Sequence, residues 1–254
     1  MKVKAFICCY QELDILPWVL DHLTAQGVEP YVIDNWSTDG TKTMLEQTYT
    51  PHEQFPDKPS QTYDWHRLLR RVEQLAAESD ADWVMHCDSD EIRRSPWPEL
   101  NLAQAFERVD GEGYNAVDHR VFNFRPVDNG WDGSQNPEEY FRYYEPHSHY
   151  DRQHHIKAWK PGFGTVDLAT SGGHQAWFEG RKVHPTKFIL KHYGIRSDDH
   201  GKRKVLQDRI ARRNQQEYLE RGWHVHLDAL AGMDTFLVDP AELVEWHEEV
   251  TCSR

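Results

Sequence analysis

Trp83-Val84-Met85-His86-Cys87-Asp88-Ser89-Asp90-Glu91 is an apolar run that ends abruptly in acid. A short apolar run of this kind is what a strand buried on both faces looks like. Asp88 and Asp90 stand two residues apart at the end of that run, and hard oxygen ligands at this spacing suit magnesium or manganese. An acidic turn capping a following helix would carry the same letters. The triplet therefore needs its surroundings.

Upstream, strand and helix patterns alternate. Residues 3–9 read as a buried strand, and residues 13–26 carry Leu16, Val19, Leu20 and Leu23 at helical spacing with Gly27 as a stop. Pro17 is tolerable only in that helix's first turn. Residues 28–33 form a second strand ending at Asp34, and Ser37, Thr38 and Asp39 are caps for a helix over 41–47. The proline-rich stretch 50–59 reads as a loop, and residues 66–77 as a helix. This order predicts a parallel sheet with helices on both faces. Ligands of such sheets sit beyond the carboxyl ends of the strands, so the Asp34 and Asp88 loops should share one crevice.

Farther on, residues 114–124 and 187–193 look like strands, 125–137 like a loop, 198–221 like one charged helix and 240–250 like a closing helix. In the charged helix, Val205, Leu206, Ile210 and Leu219 are the expected inward residues. Trp131, Tyr150, Trp159 and Trp177 are candidates for a sugar-stacking platform, against the alternative that they fill the core.

A formal charge of −13 argues against a nucleic-acid partner, whose phosphates need a basic surface. No run has the length of a transmembrane helix, and the first residues lack the apolar stretch of a signal peptide. Cys8, Cys9, Cys87 and Cys252 form no CxxC pair and read as reduced thiols. The expectation is a cytoplasmic location, with peripheral membrane contact left open.

Three segments carry a family resemblance. Cys9-Tyr10-Gln11-Glu12 ahead of a helix resembles the opening strand and loop of glycosyltransferase family two. Ile33-Asp34-Asn35-Trp36-Ser37-Thr38-Asp39-Gly40-Thr41 resembles its second-strand signature, and residues 83–91 resemble its metal-binding strand and DxD. The resemblance implies a GT-A fold: α/β, with a Rossmann-like, mostly parallel central sheet flanked by helices. The expected division is a catalytic domain over 1–197, nucleotide-binding to 92 and acceptor-binding beyond, with a helical C-terminal extension over 198–254 packed on it.

The resemblance also distributes roles. Tyr10, Glu12 and Asp34 would contact base and ribose, although Gln11 stands where the family commonly has Asn. Asp88 would contact metal or ribose, Ser89 the donor, and Asp90 the metal, a manganese or magnesium ion. His192, at the end of a late strand, resembles the further metal ligand that such enzymes often supply; its alternative is a histidine bonded to backbone. Arg67 and Arg70 are candidates for the base or phosphate side, or else solvated helix charges. Arg196, Lys202 and Lys204 are candidates to clamp the diphosphate, with Lys204 and its neighbours Arg203 and Arg209 otherwise an exposed charge run. Lys157 and Lys160 would pair with phosphates or lie on the surface.

Asp167 and His174 are candidates for the base that takes the acceptor's proton, and the Gly172-Gly173 pair permits close backbone approach to a ligand. The expected reaction is hexosyl transfer from a UDP- or GDP-linked sugar to a hydroxyl of a carbohydrate or small acceptor. Oligomeric state is open, a homodimer included. One rival, a nucleotidyltransferase, would carry a glycine-rich basic loop where this chain has Tyr10-Gln11-Glu12-Leu13-Asp14. Another, a non-catalytic carbohydrate- or nucleotide-binding module, has no need of Asp88, Asp90 and His192 together. His147, His149, His154 and His155 match no zinc pattern.

Overall fold

The structure, a computed structural model, describes residues 1–148 and 153–248. In chain order its elements are β1 (Val3–Cys9), α1 (Leu16–Ala25), β2 (Val28–Asp34), α2 (Thr41–Gln47), β3 (His52–Gln54), α3 (Trp65–Glu78), β4 (Trp83–Asp88), β5 (Glu91–Arg94) and α4 (Leu102–Gly111). There follow β6 (Ala116–Val117), β7 (His119–Asn123), α5 (Pro137–Tyr140), β8 (Tyr143–Tyr144), β9 (Ala158–Trp159) and β10 (Phe188–His192). Last come α6 (Asp198–Lys202), a π-helical stretch Arg203–Ile210, α7 (Gln215–Arg221), α8 (His226–Leu230) and β11 (Val244–Glu245).

The central sheet runs β3-β2-β1-β4-β9-β6. Its first three pairings are parallel, and β9 joins β4 and β6 antiparallel. β1 shows why the sheet is covered on both faces. Ala5, Ile7 and Cys9 face α1 and α4, whereas Phe6 and Cys8 face α3 through Leu68, Leu69 and Val72. Alternate side chains of a strand point to opposite faces, so a continuous apolar run feeds two cores. α1 accepts Pro17 in its first turn, and Gly27 ends it at φ 73°. Asp64 caps α3 by accepting from the Arg67 amide at 3.2 Å. The mostly parallel α/β architecture is the expected one.

Three expectations are corrected and one strand is added. The chain leaves Asp90 into β5, which pairs antiparallel with β10 inside a second sheet, β5-β10-β7; the 50–59 loop likewise contains β3. The expected helix over 198–221 is broken, because Asn214 accepts from the amides of Gln216 and Glu217 and starts α7 afresh. Val205 stays buried, but Leu206 is 43% and Leu219 76% exposed. The expected closing helix is a short turn, Pro240–Glu242, followed by β11, which pairs with β8; residues 249–254, Cys252 among them, lie outside the described residues.

The aromatic platform does not assemble either. Trp159 is fully buried against α3 and Trp131 lies in the core, while Trp177 is exposed under the Arg181 guanidinium. Tyr150 and His149 lie outside the described residues. Trp159→Ala is therefore expected to lower the unfolding free energy by about 3–5 kcal/mol in urea denaturation. A solvent-facing sugar shelf would leave it within about 0.5 kcal/mol.

Candidate active site

A cleft of about 780 Å³ opens beyond the carboxyl ends of β1 and β4. Tyr10, Asp88, Ser89, Asp90, His174, His192 and Lys204 all line it. So do Asn123, Arg125, Glu145 and Arg209, with an aromatic wall of Tyr63, Trp65 and Trp223.

Two loops build its floor. Gln11 and Trp36 sit at φ 57° and 62°, in the left-handed region. The Gln11 side-chain oxygen accepts from the amides of Thr38 and Asp39 at 2.6 and 3.1 Å, and its backbone N–H donates to Ser37 Oγ. A side chain that knits the β1 loop to the β2 loop holds the conformation that its own backbone disfavours. Asp34 is wholly buried and accepts from Ser37 Oγ at 2.5 Å; burial raises its pKa. It shapes the loop without lining the cleft.

The acidic turn is locked by an internal cation. Lys157 Nζ donates to Asp88 Oδ2 at 2.7 Å and Glu91 Oε1 at 2.6 Å. Arg93 Nη2 donates to the other Glu91 oxygen at 2.5 Å and to the His86 carbonyl at 2.6 Å. Burial alone would raise Glu91, but Lys157 and Arg93 reverse it and hold the carboxyl well below its usual range. Burial would likewise lower Lys157, and the two carboxylates raise it instead. Lys157 thus faces the acids, away from the cleft. Behind them, His86 is fully buried, and desolvation pushes it down to about 4.

Asp90 takes the other direction. Its Oδ2 accepts from Lys204 Nζ at 2.6 Å, and its Oδ1 lies 3.7 Å from His192 Nε2. Burial would raise its pKa; Lys204 above all, with Arg196, holds it low. Lys204 also donates to Glu12 at 2.7 Å. Glu12 is buried and shared with Arg196, whose guanidinium also grips Asp14 at 2.8 and 2.9 Å. Glu12 and Arg196 accordingly brace the wall from behind. Among the described residues no group of three or more His, Cys, Asp or Glu side chains forms a ready-made metal cage. Asp90 and His192 still place a carboxylate oxygen and an imidazole nitrogen side by side, a mixed donor pair of the kind a divalent cation can use.

The remaining candidates separate cleanly. His174 lines the cleft, with its ring edge-on to His155 at 5.2 Å. Asp167 lies outside it, accepting from the Thr170 amide and 3.9 Å from Arg70. Arg67 is exposed, 3.9 Å from Asp64 and over the Phe55 ring. Lys160 pairs with Asp110 and Lys202 with Asp198. Each glycine of the pair packs close to protein, since a Cβ on Gly173 would stand 3.0 Å from Leu69 and 3.1 Å from His86 and one on Gly172 3.3 Å from Trp223, while Gly172 also lines the cleft. Both have positive φ, so the pair steers His174 into the cleft. Tyr10 lines the cleft with Arg212 stacked 3.7 Å over its ring.

Asn123, Glu145 and Trp223 are site residues that the sequence reading did not single out. Asn123 becomes visible only through register, since it pairs with His192 across β7 and β10.

An α/β fold with an acid-ended cleft at the carboxyl side of its parallel strands defines the general class of this chain. The model of glycosyl transferase family 2 matches residues 5–169, more than half of the chain, and the chain belongs to that family. No curated protein gives a match. Among solved structures the chain is similar to S. aureus TarS, at 14% identity and TM-score 0.44, covering 82% of this chain and 40% of that one. It is similar to S. aureus TarS 1-349 in complex with UDP, at 14% identity and TM-score 0.43, covering 75% and 60%. A third is glucosyl-3-phosphoglycerate synthase from Mycobacterium tuberculosis in complex with Mn2+, UDP and glucosyl-3-phosphoglycerate, at 21% identity and TM-score 0.35, covering 47% and 44%. The chain spans less than two thirds of the length of each. No described helix is long and apolar enough to cross a membrane.

Glu217 of α7 closes the wall by accepting from the Trp65 and His66 amides at 3.2 and 2.7 Å, capping α3 from a distant part of the chain. Burial raises its pKa to about 7, with Asp64 contributing. A carboxyl that keeps its proton in the folded state stabilises the fold fully below the unfolded value of 4.5 and loses that contribution as pH rises through about 7. Glu217→Gln stays neutral throughout. The stability of the wild type relative to this variant should fall as pH rises across that window, in denaturant unfolding at matched ionic strength. A constant difference would contradict the assignment.

Proposed function

We propose that this chain transfers a glycosyl group from a nucleoside-diphosphate sugar to a hydroxyl acceptor, in the cleft beyond β1 and β4. The observation that carries this reading is the convergence of Asp88-Ser89-Asp90, His192, His174, Lys204 and Arg209 on one cleft in a member of glycosyl transferase family 2. Tyr10 and the floor loops receive the nucleotide. Asp90 and His192 are the residues that would hold a divalent cation, with Asp88 fixed by Lys157 and turned to the donor. When bound, that cation supplies charge neutralisation for the departing diphosphate.

The chain's own cations complete the arrangement. Lys204 neutralises Asp90 before the donor arrives, and with Arg209 it is poised to meet phosphate oxygens. His174 takes the proton of the acceptor hydroxyl, and the aromatic wall excludes water from the reacting carbon. Residues 198–230 form a wall of the catalytic cleft in this reading, so the functional unit extends beyond residue 197. A soluble carbohydrate or small polar molecule is the proposed acceptor, and manganese or magnesium the proposed ion.

Thermal-shift measurements with UDP- and GDP-sugars, each with and without Mn2+, identify the donor, because a ligand that binds the folded state raises the melting temperature. The expected result is a cation-dependent rise with one donor class. Asp90→Ala should abolish that dependence and lower turnover by about 100-fold or more. His174→Ala should lower kcat by about 10²–10⁴-fold with donor binding intact. Full, cation-independent turnover by Asp90→Ala would rule the mechanism out.

A further inference from the structure

We propose that Glu145 and Asn123 set the tautomer of His192, so that its Nε2 turns a lone pair toward Asp90. The inference rests on the reading of Asp90 and His192 as cation ligands and adds two positioning residues to it. Register places them. Asn123 is the cross-strand partner of His192. The bridge between Phe124 and Tyr144 brings Glu145 alongside, with its N–H donating to the Asn123 carbonyl at 3.0 Å.

Three side-chain bonds then run in series. Arg125 Nη1 donates to Glu145 Oε1 at 2.7 Å, and Asn123 Nδ2 donates to Glu145 Oε2 at 2.8 Å. Asn123 Oδ1 lies 2.8 Å from His192 Nδ1. Each link has one polarity. A guanidinium only donates, and a carboxylate only accepts. The carboxylate therefore takes the amide nitrogen of Asn123, and the amide oxygen is left for the ring. That oxygen cannot donate, so Nδ1 carries the proton of the neutral imidazole. Nε2, 3.7 Å from Asp90 Oδ1, is left as the basic nitrogen. The opposite tautomer would aim an N–H at Asp90 and hold a cation out from between them. Ordering a ligand histidine through its second nitrogen is a general way to tune metal affinity.

Glu145→Gln tests the chain of polarity without changing its shape. Arg125 retains the side-chain oxygen of the new amide, so its NH2 faces Asn123. Asn123 must then rotate to offer its oxygen, its own NH2 meets Nδ1, and the ring takes the Nε2–H tautomer. Adding Asn123→Asp supplies a carboxylate that accepts from both sides, which restores the original tautomer at unchanged net charge.

The experiment is long-range 1H–15N correlation on full-length protein labelled at histidine, with the His192 signals assigned by their loss in His192→Gln. Mn2+ titrations in the presence of UDP, followed by electron paramagnetic resonance, run alongside. The expected results are an Nδ1–H ring in the wild type, and an Nε2–H ring with about 10–100-fold weaker Mn2+ binding in Glu145→Gln. The double variant should recover both. An Nε2–H ring in the wild type, an unchanged ring in Glu145→Gln, or no recovery in the folded double variant would overturn the inference. Wild-type Mn2+ affinity in Asp90→Ala would instead overturn the cation reading, and the tautomer pattern would still decide the role of Glu145.

Discussion

Between Asp88 and Glu91 sits an ammonium whose side chain is 3% exposed, 2.7 and 2.6 Å from their oxygens. Without it, the Asp88 and Glu91 carboxylates would face each other across a tight turn, Glu91 in a buried place. Removing one partner of a buried ion pair leaves an uncompensated charge, which typically costs about 3–5 kcal/mol. The geometry of the central sheet supplies this cation. β9 runs antiparallel beside β4, the His86 amide donates to the Lys157 carbonyl, and the lysine arrives at the end of the strand that carries the acids. With Asp88 engaged there, Asp90 is the carboxylate that reaches toward His192. The division of labour between two similar acids follows from one lysine.

The first half of the fold was legible because each element buries a pattern. β1 and β4 are apolar on both faces, and α1 and α3 repeat their apolar residues at helical spacing. β5 was not legible, because Glu91-Ile92-Arg93-Arg94 reads as a charged turn. Glu91 and Arg93 are nevertheless buried, Arg93 completely, since Lys157 of another strand reaches Glu91 and the His86 carbonyl of β4 accepts from Arg93. Pairing of that sort has no local signature. The same holds for Trp159, which was read as a sugar shelf or a core residue and lies in the core once β9 is set beside β4.

Of the residues that line the cleft, Asp88, Asp90 and His192 stand out in the sequence by residue type and by position at strand ends, and His174 by the glycine pair before it. Lysines and arginines were harder to sort. Lys157, Lys204, Arg196 and Arg67 look alike in sequence, yet one locks the turn, one bridges Glu12 and Asp90, one braces the wall and one is solvated. What separates them is which acid lies within reach, and those acids are as much as 192 residues away.

That separation bears on how the protein comes into being. The bond from Lys204 to Glu12 and the cap of Glu217 on α3 join parts of the chain 192 and 152 residues apart. Such contacts form only after long loops have closed, and non-local pairings slow folding. On a ribosome, β1 to β4 can begin to associate as soon as they emerge. The cleft, by contrast, has neither its cationic wall nor the second cap that Glu217 puts on α3 until α7 has been made. The sheet is an early structure and the cleft a late one, so competence for a ligand marks the end of folding.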